Sequence, residues 1–99
     1  MPVKFTAEAF ADLNELDAYL SERSPQGLRR VTASIKDVFT QIEHHPKIGR
    51  ATQDESLRVT VEPHYGYIIP YFLATDGIWI VRVYHAPRAP LDFSTLKLP

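Results

Sequence analysis

Apolar residues along this chain change their spacing twice, and each change marks an element boundary. Val3 to Phe5 is short and apolar at alternate positions, which predicts a first strand. Phe10, Leu13, Leu16 and Leu20 then recur at helical spacing. Thr6 stands where a capping hydroxyl is needed, and Glu8 falls in the first turn, where a carboxylate complements the helix dipole. A helix is expected over about 7–22. Ser24-Pro25 is a restart signal, a capping side chain followed by proline at the first helical position. Leu28, Val31, Ile35, Val38, Phe39 and Ile42 form a second apolar stripe that ends near Glu43 or His44, before Pro46. With so short a link the two helices must run antiparallel as a hairpin.

Residues 45–56 read as a loop, and after them the period becomes two. Leu57, Val59 and Val61 alternate with Arg58, Thr60 and Glu62, as in a half-buried strand. Pro63-His64 is a turn. Tyr65 to Leu73 is almost wholly apolar or aromatic, the signature of a central strand, and Ile78 to Tyr84 is its partner across an Asp76-Gly77 hairpin. Pro70 conflicts with a central strand because it cannot donate to a ladder; it requires a bulge or an unpaired side. The order is β-α-α-β-β-β, an α+β fold with the helical hairpin on one face of a small, mostly antiparallel sheet.

Ninety-nine residues with 44% hydrophobic and 23% charged positions describe a single soluble domain spanning 1–99, with a modest core. There is no cysteine, which excludes disulfides, a thiolate metal site and a cysteine nucleophile. No signal-peptide pattern or membrane-length apolar run is present, so a cytoplasmic protein without membrane contact is expected. The net charge of −1 argues against wholesale phosphate-backbone binding. Its distribution is uneven. Residues 7–22 carry Glu8, Asp12, Glu15, Asp17 and Glu22 without a Lys or Arg, whereas residues 77–91 carry Arg82 and Arg88 without an acid. The acids of the first helix read as a solvated face.

Several runs, taken in order, resemble the RelE/ParE superfamily of bacterial toxins over essentially the whole chain. They are Thr6-Ala7-Glu8-Ala9-Phe10-Ala11-Asp12-Leu13 with Tyr19-Leu20, His45-Pro46-Lys47-Ile48-Gly49-Arg50, Leu57-Arg58-Val59, Tyr67-Ile68-Ile69-Pro70-Tyr71, and Ile80-Val81-Arg82-Val83-Tyr84-His85-Ala86-Pro87-Arg88. The closing Arg-Val-x-His-x-x-Arg pattern is similar to the ParE branch. The resemblance implies the toxin of a type II toxin–antitoxin pair that poisons DNA gyrase and is neutralised by a ParD-like antitoxin. Promoter DNA would be met only indirectly, through that antitoxin. It implies an enzyme inhibitor that needs no cofactor.

The candidate chemistry is concentrated at the end of the last strand. Arg82, His85 and Arg88 recur every third residue and are the expected target-binding set. Tyr65, Tyr67, Trp79 and Arg82 are the expected antitoxin-binding set, because aromatic side chains anchor interfaces. A RelE-like messenger-RNA endoribonuclease is the alternative. That chemistry needs a base for the 2′-hydroxyl, an acid for the leaving oxygen and cations for the phosphorane charge. His85, Arg82 and Arg58, with Arg88, are the residues from which such a site would be built. Against it, Lys47 and Arg50 are accompanied by Asp54 and Glu55, and Phe93 stands in a C-terminal segment that lacks the tyrosine of RelE. A third possibility is a non-toxic module that only binds antitoxin. His44, His45 and His64 lack acid or cysteine partners at ligand spacing, so no metal is expected.

Overall fold

The computed structural model describes residues 2–85. Its elements are β1 (Val3–Phe5), α1 (Ala7–Arg23), α2 (Pro25–His44), β2 (Arg50–Ala51), β3 (Leu57–Glu62), β4 (Tyr67–Ala74), β5 (Gly77–Ile80) and β6 (Tyr84–His85). The helix starts fall where the capping residues place them. Thr6 Oγ1 accepts from Ala9 N at 3.1 Å, and Ser24 Oγ accepts from Gly27 N at 3.0 Å. Ser24 is the whole link between the helices, since its own N–H donates to Leu20 O and thereby closes α1.

The sheet order is β1-β5-β4-β3-β2, with β6 also on β4. All pairings are antiparallel except β1 with β5. This is the expected α+β arrangement, with two additions. A two-residue strand, β2, forms inside the stretch read as loop, and the last strand is broken into β5 and β6. The core lies between the hairpin and the sheet: Ala9, Val31, Ile35, Val38 and Ile42 meet Ile69, Tyr71, Ile78, Ile80 and Val83. A smaller cluster of Leu57, Phe72 and Val81, with Trp79 against it, occupies the opposite sheet face.

The alternation in β3 therefore runs opposite to the simplest reading of its pattern. Leu57 belongs to the far face, whereas Arg58 and Glu62 point to the helix side and are buried. Glu62 is held there by three donors: Ser34 Oγ of α2 at 2.7 Å, His64 N at 2.6 Å and Tyr65 N at 2.9 Å. Burial pushes its carboxyl up, but the Ser34 hydroxyl and the two backbone N–H groups outweigh that, and the group titrates below its ordinary range.

Gly77 closes the β4–β5 hairpin with φ +143, a conformation that L side chains rarely adopt. A Cβ there would come within 2.8 Å of the Pro2 carbonyl oxygen, which accepts from Ile78 N and extends the β1 ladder. Gly77→Ala is expected to cost about 2 kcal/mol, from backbone strain plus the displaced β1 edge. A denaturant midpoint equal to wild type would show that β1 yields without loss.

Candidate functional site

The strand end singled out in the sequence is built on a β-bulge. β4 and β5 pair in one register through Tyr71 and Ile80, but β4 and β6 pair Ile68 with Tyr84, one residue out of step. Residues 81–83 thus stand opposite Ile69 and Pro70 alone. Pro70 is the cause. Its carbonyl accepts from Val81 N at 3.0 Å, so its missing N–H faces the same side, toward Val81. The Val81 carbonyl takes its proton from Thr6 Oγ1 instead, at 3.0 Å. Val81 consequently packs on the far face and Val83 in the helix-side core, so the two do not define one face as strict alternation predicts.

Arg82 follows Ile80 onto the helix side and faces α1, and the extra residue brings Val83 there beside it. Its Nε and Nη2 donate to the two carboxylate oxygens of Asp12 at 2.6 and 3.0 Å, and Val83 N donates to the same carboxylate at 2.9 Å. The fork-on-fork pair holds Arg82 firmly protonated: the Asp12 carboxylate raises its pKa above the ordinary value, against the opposing effect of burial. Asp12 is mostly buried and is not part of a solvated acidic face. It is a residue whose role the sequence pattern does not reveal, because the partner lies 70 positions away.

His85 Nε2 lies 2.7 Å from the Tyr65 carbonyl oxygen. A carbonyl only accepts, so that nitrogen carries the hydrogen. The imidazole packs on Tyr67, with ring centroids 5.1 Å apart. Between these rings and α1 is a cleft of about 330 Å³ lined by Asp12, Glu15, Leu16, Tyr19, Tyr67, Val83, Tyr84 and His85. Its helical wall is the stripe Asp12, Glu15, Leu16, Tyr19, one face at i, i+3, i+4 and i+7.

Arg58 sits elsewhere. Its Nη1 donates to the carbonyls of Gly49 at 2.8 Å and Lys47 at 3.3 Å, and its Nη2 pairs with Glu55 at 2.9 Å. The Tyr71 hydroxyl donates to Pro46 O at 2.7 Å and accepts from Gly49 N at 2.9 Å. Arg58 and Tyr71 together clamp the 46–49 segment onto the sheet, and burial holds the phenol above its ordinary pKa. Tyr71→Phe leaves the Pro46 carbonyl and the Gly49 N–H without that partner and is expected to cost about 1–3 kcal/mol. Chemical denaturation checks this; an unshifted midpoint would mean water replaces the hydroxyl. Arg58 pairs across the ladder with Tyr71 and His85 with Tyr67, four residues apart on β4, which is roughly 13 Å along a strand.

The other candidates fall apart in space. Trp79 lies on the far sheet face, with Lys4 Nζ 5.3 Å from its ring centroid and its Nε1 donating to Asp76. Tyr67 packs at the helix side, so the aromatic set Tyr65, Tyr67 and Trp79 does not form one surface. Arg88 lies outside the described residues. Among the described residues no three His, Cys, Asp or Glu side chains are placed to share a metal ion, and no helix is long and apolar enough to cross a membrane. A second, apolar furrow of about 440 Å³ runs along the helical hairpin, lined in part by Phe5, Leu13, Leu16, Leu28, Ile35 and Phe39. Phe10 beside it packs at a tilt against Phe5 and is 54% exposed.

Comparison with known proteins agrees with this architecture. Residues 3–90 match the family model described as ParE toxin of type II toxin–antitoxin system, parDE. The chain is 32% identical over 84 residues to the candidate toxin Y4kP of Sinorhizobium fredii, covering 85% of this chain and 86% of that one. It is 30% identical over 86 residues to Toxin RelE2 of Caulobacter vibrioides, covering 87% and 96%. Among solved structures it superposes on a chain of the chromosomal ParDE toxin–antitoxin system from P. aeruginosa with a TM-score of 0.61 at 19% identity, over 86% of this chain and 95% of that one.

Proposed function

This chain belongs to the ParE toxin family of type II toxin–antitoxin systems, and from that premise we propose that it poisons DNA gyrase and is neutralised by a ParD-like antitoxin. The observation that carries this reading is the dispersal of the cations a nuclease would need. Arg58 is spent on two carbonyl oxygens and Glu55; Arg82 is neutralised by Asp12; His85 is tied to a carbonyl about 13 Å along the sheet from Arg58. Of the three only His85 lines the strand-end cleft, whereas a protein that acts by binding needs only a shaped surface. The apolar furrow and the exposed Phe10 support an antitoxin covering the hairpin, since a patch of this kind on a small protein marks an interface. On this reading His85 and Arg88 meet the target from the strand end, and Arg82 holds that end in shape.

The test is direct. Purified toxin added to gyrase and supercoiled plasmid is expected to accumulate cleaved complexes, and His85→Ala is expected to weaken this at a temperature where the variant, though it has lost the Tyr65 carbonyl bond, is still folded. Failure to trap cleavage, with the message on ribosomes cut instead, would transfer the protein to the RelE-like reading. The likeness to Toxin RelE2 is the observation that keeps this second reading in play.

A further inference from the structure

The cleft between α1 and β6 combines features that the proposed function does not use. It has two aromatic walls, Tyr19 from α1 and the tilted Tyr67–His85 pair from the sheet. Its floor is apolar, from Leu16 and Val83. Its two carboxylates differ. Asp12 is saturated by Arg82 and Val83 N, whereas Glu15 is exposed and makes no hydrogen bond or ion pair among the described residues. Among the described residues no lysine or arginine lines the cleft, so Glu15 stands there without an ion pair beside electron-rich ring faces. Tyr19 already accepts a guanidinium: the Arg23 Cζ lies 3.8 Å from its ring centroid. Aromatic faces with a neighbouring carboxylate are the chemistry that recognises an organic cation. A volume of about 330 Å³ takes one or two side chains and no larger body.

We infer that this cleft is the anchor pocket for a single arginine side chain presented by the antitoxin segment. The guanidinium lies against the Tyr19 and Tyr67 rings and pairs with Glu15, and its methylene stem covers Leu16 and Val83. The inference rests on the antitoxin reading above and adds the chemistry of one contact. The occupant is identified by charge complementarity. A cation on a flexible stem satisfies both the rings and the carboxylate, whereas an acidic segment would meet Glu15 with like charge. Filling the cleft also places the antitoxin directly against His85, at the end of the bulged strand.

Two measurements test it. In the first, ¹⁵N-labelled toxin is titrated with N-acetyl-arginine amide and with N-acetyl-citrulline amide, which keeps the shape and loses the charge. Saturable amide shifts at Glu15, Tyr19, Val83 and His85 are expected with arginine and not with citrulline. Equal shifts with both, or none with either, would overturn the inference. In the second, toxin carrying Glu15→Lys or Tyr19→Leu is titrated calorimetrically with its ParD-like antitoxin. Both positions are exposed on α1, so the variants are expected to fold, which circular dichroism checks. Affinity is expected to fall roughly tenfold or more. If the wild-type proteins associate and the variants bind equally well, the anchor is wrong and the antitoxin reading stands. If the wild-type proteins do not associate, the antitoxin reading falls and takes the anchor's occupant with it.

Discussion

Asp12→Ala is expected to lower the melting temperature by roughly 10–20 °C, more than any substitution at the strand end itself. The carboxylate satisfies two groups at once, the Arg82 guanidinium and the Val83 N–H of the bulge. Removing it leaves a charged group and a backbone donor without partners in a mostly buried site. Loss of one member of a fully buried pair costs about 3–5 kcal/mol; with the Arg82 side chain 30% exposed, about 2–3 kcal/mol is the proper scale. In a domain of this size each kcal/mol moves the midpoint by about 4–8 °C. Arg82→Ala is expected to cost less, because Asp12 keeps its bond to Val83 N. The double variant Asp12→Ala with Arg82→Ala is expected to cost less than the two single changes added together. Thermal and denaturant unfolding of the four proteins measure all of this. Additive effects, or Arg82→Ala as the more damaging change, would show that the pair does not brace the bulge. The same experiment governs how toxicity data on Arg82 are read. A harmless Arg82→Ala toxin with a depressed melting temperature has lost its scaffold and need not have lost a contact.

Glu62 gives the second large effect, and it depends on pH. The carboxylate is fully buried and is bound by Ser34 and by the N–H groups of His64 and Tyr65, which tie the β3–β4 turn to α2. Its pKa in the fold lies below the ordinary 4.5, so the folded protein binds fewer protons here than the unfolded chain. The stability it contributes is therefore complete above about pH 4.5 and is lost as pH falls through the lower folded value. Glu62→Gln is expected to cost about 1–3 kcal/mol at neutral pH, since the amide cannot supply a charged acceptor to all three donors. Urea unfolding of both proteins at pH 7, 5 and 3.5 should show the gap closing on the acid side. A gap that stays constant across that range would mean the carboxylate is not charged in the fold.

Local structure was legible because local chemistry decides it. Thr6 and Ser24-Pro25 place the helix starts, and the stripe from Leu28 to Ile42 fixes which face of α2 is buried. Asp76-Gly77 fixes the hairpin, and Pro70 announces a bulge by lacking one hydrogen. The running order of motifs was enough for the family. The side to which β3 turns its alternating residues was not legible, because period two gives two faces and does not say which one meets the helices. In this fold the far face has an apolar cluster of its own, and the helix side accepts Arg58 and Glu62 because loop carbonyls and Ser34 satisfy them.

The strand-end cluster shows the same division. The sequence by itself determined that Arg82 and His85 stand at the end of a rigid strand beside a proline-disturbed partner. Only the tertiary structure decided what they do there. Arg82 keeps the helix side of Ile80, and the one-residue offset opposite Pro70 brings Val83 to the same side, so that Asp12 of α1 meets both the guanidinium and the Val83 N–H. That meeting depends on how two elements 70 residues apart are packed, and no spacing along the chain encodes it. Among the described residues the strand end is braced by Asp12 and by the Tyr65 carbonyl, partners that only folding brings within reach of Arg82 and His85.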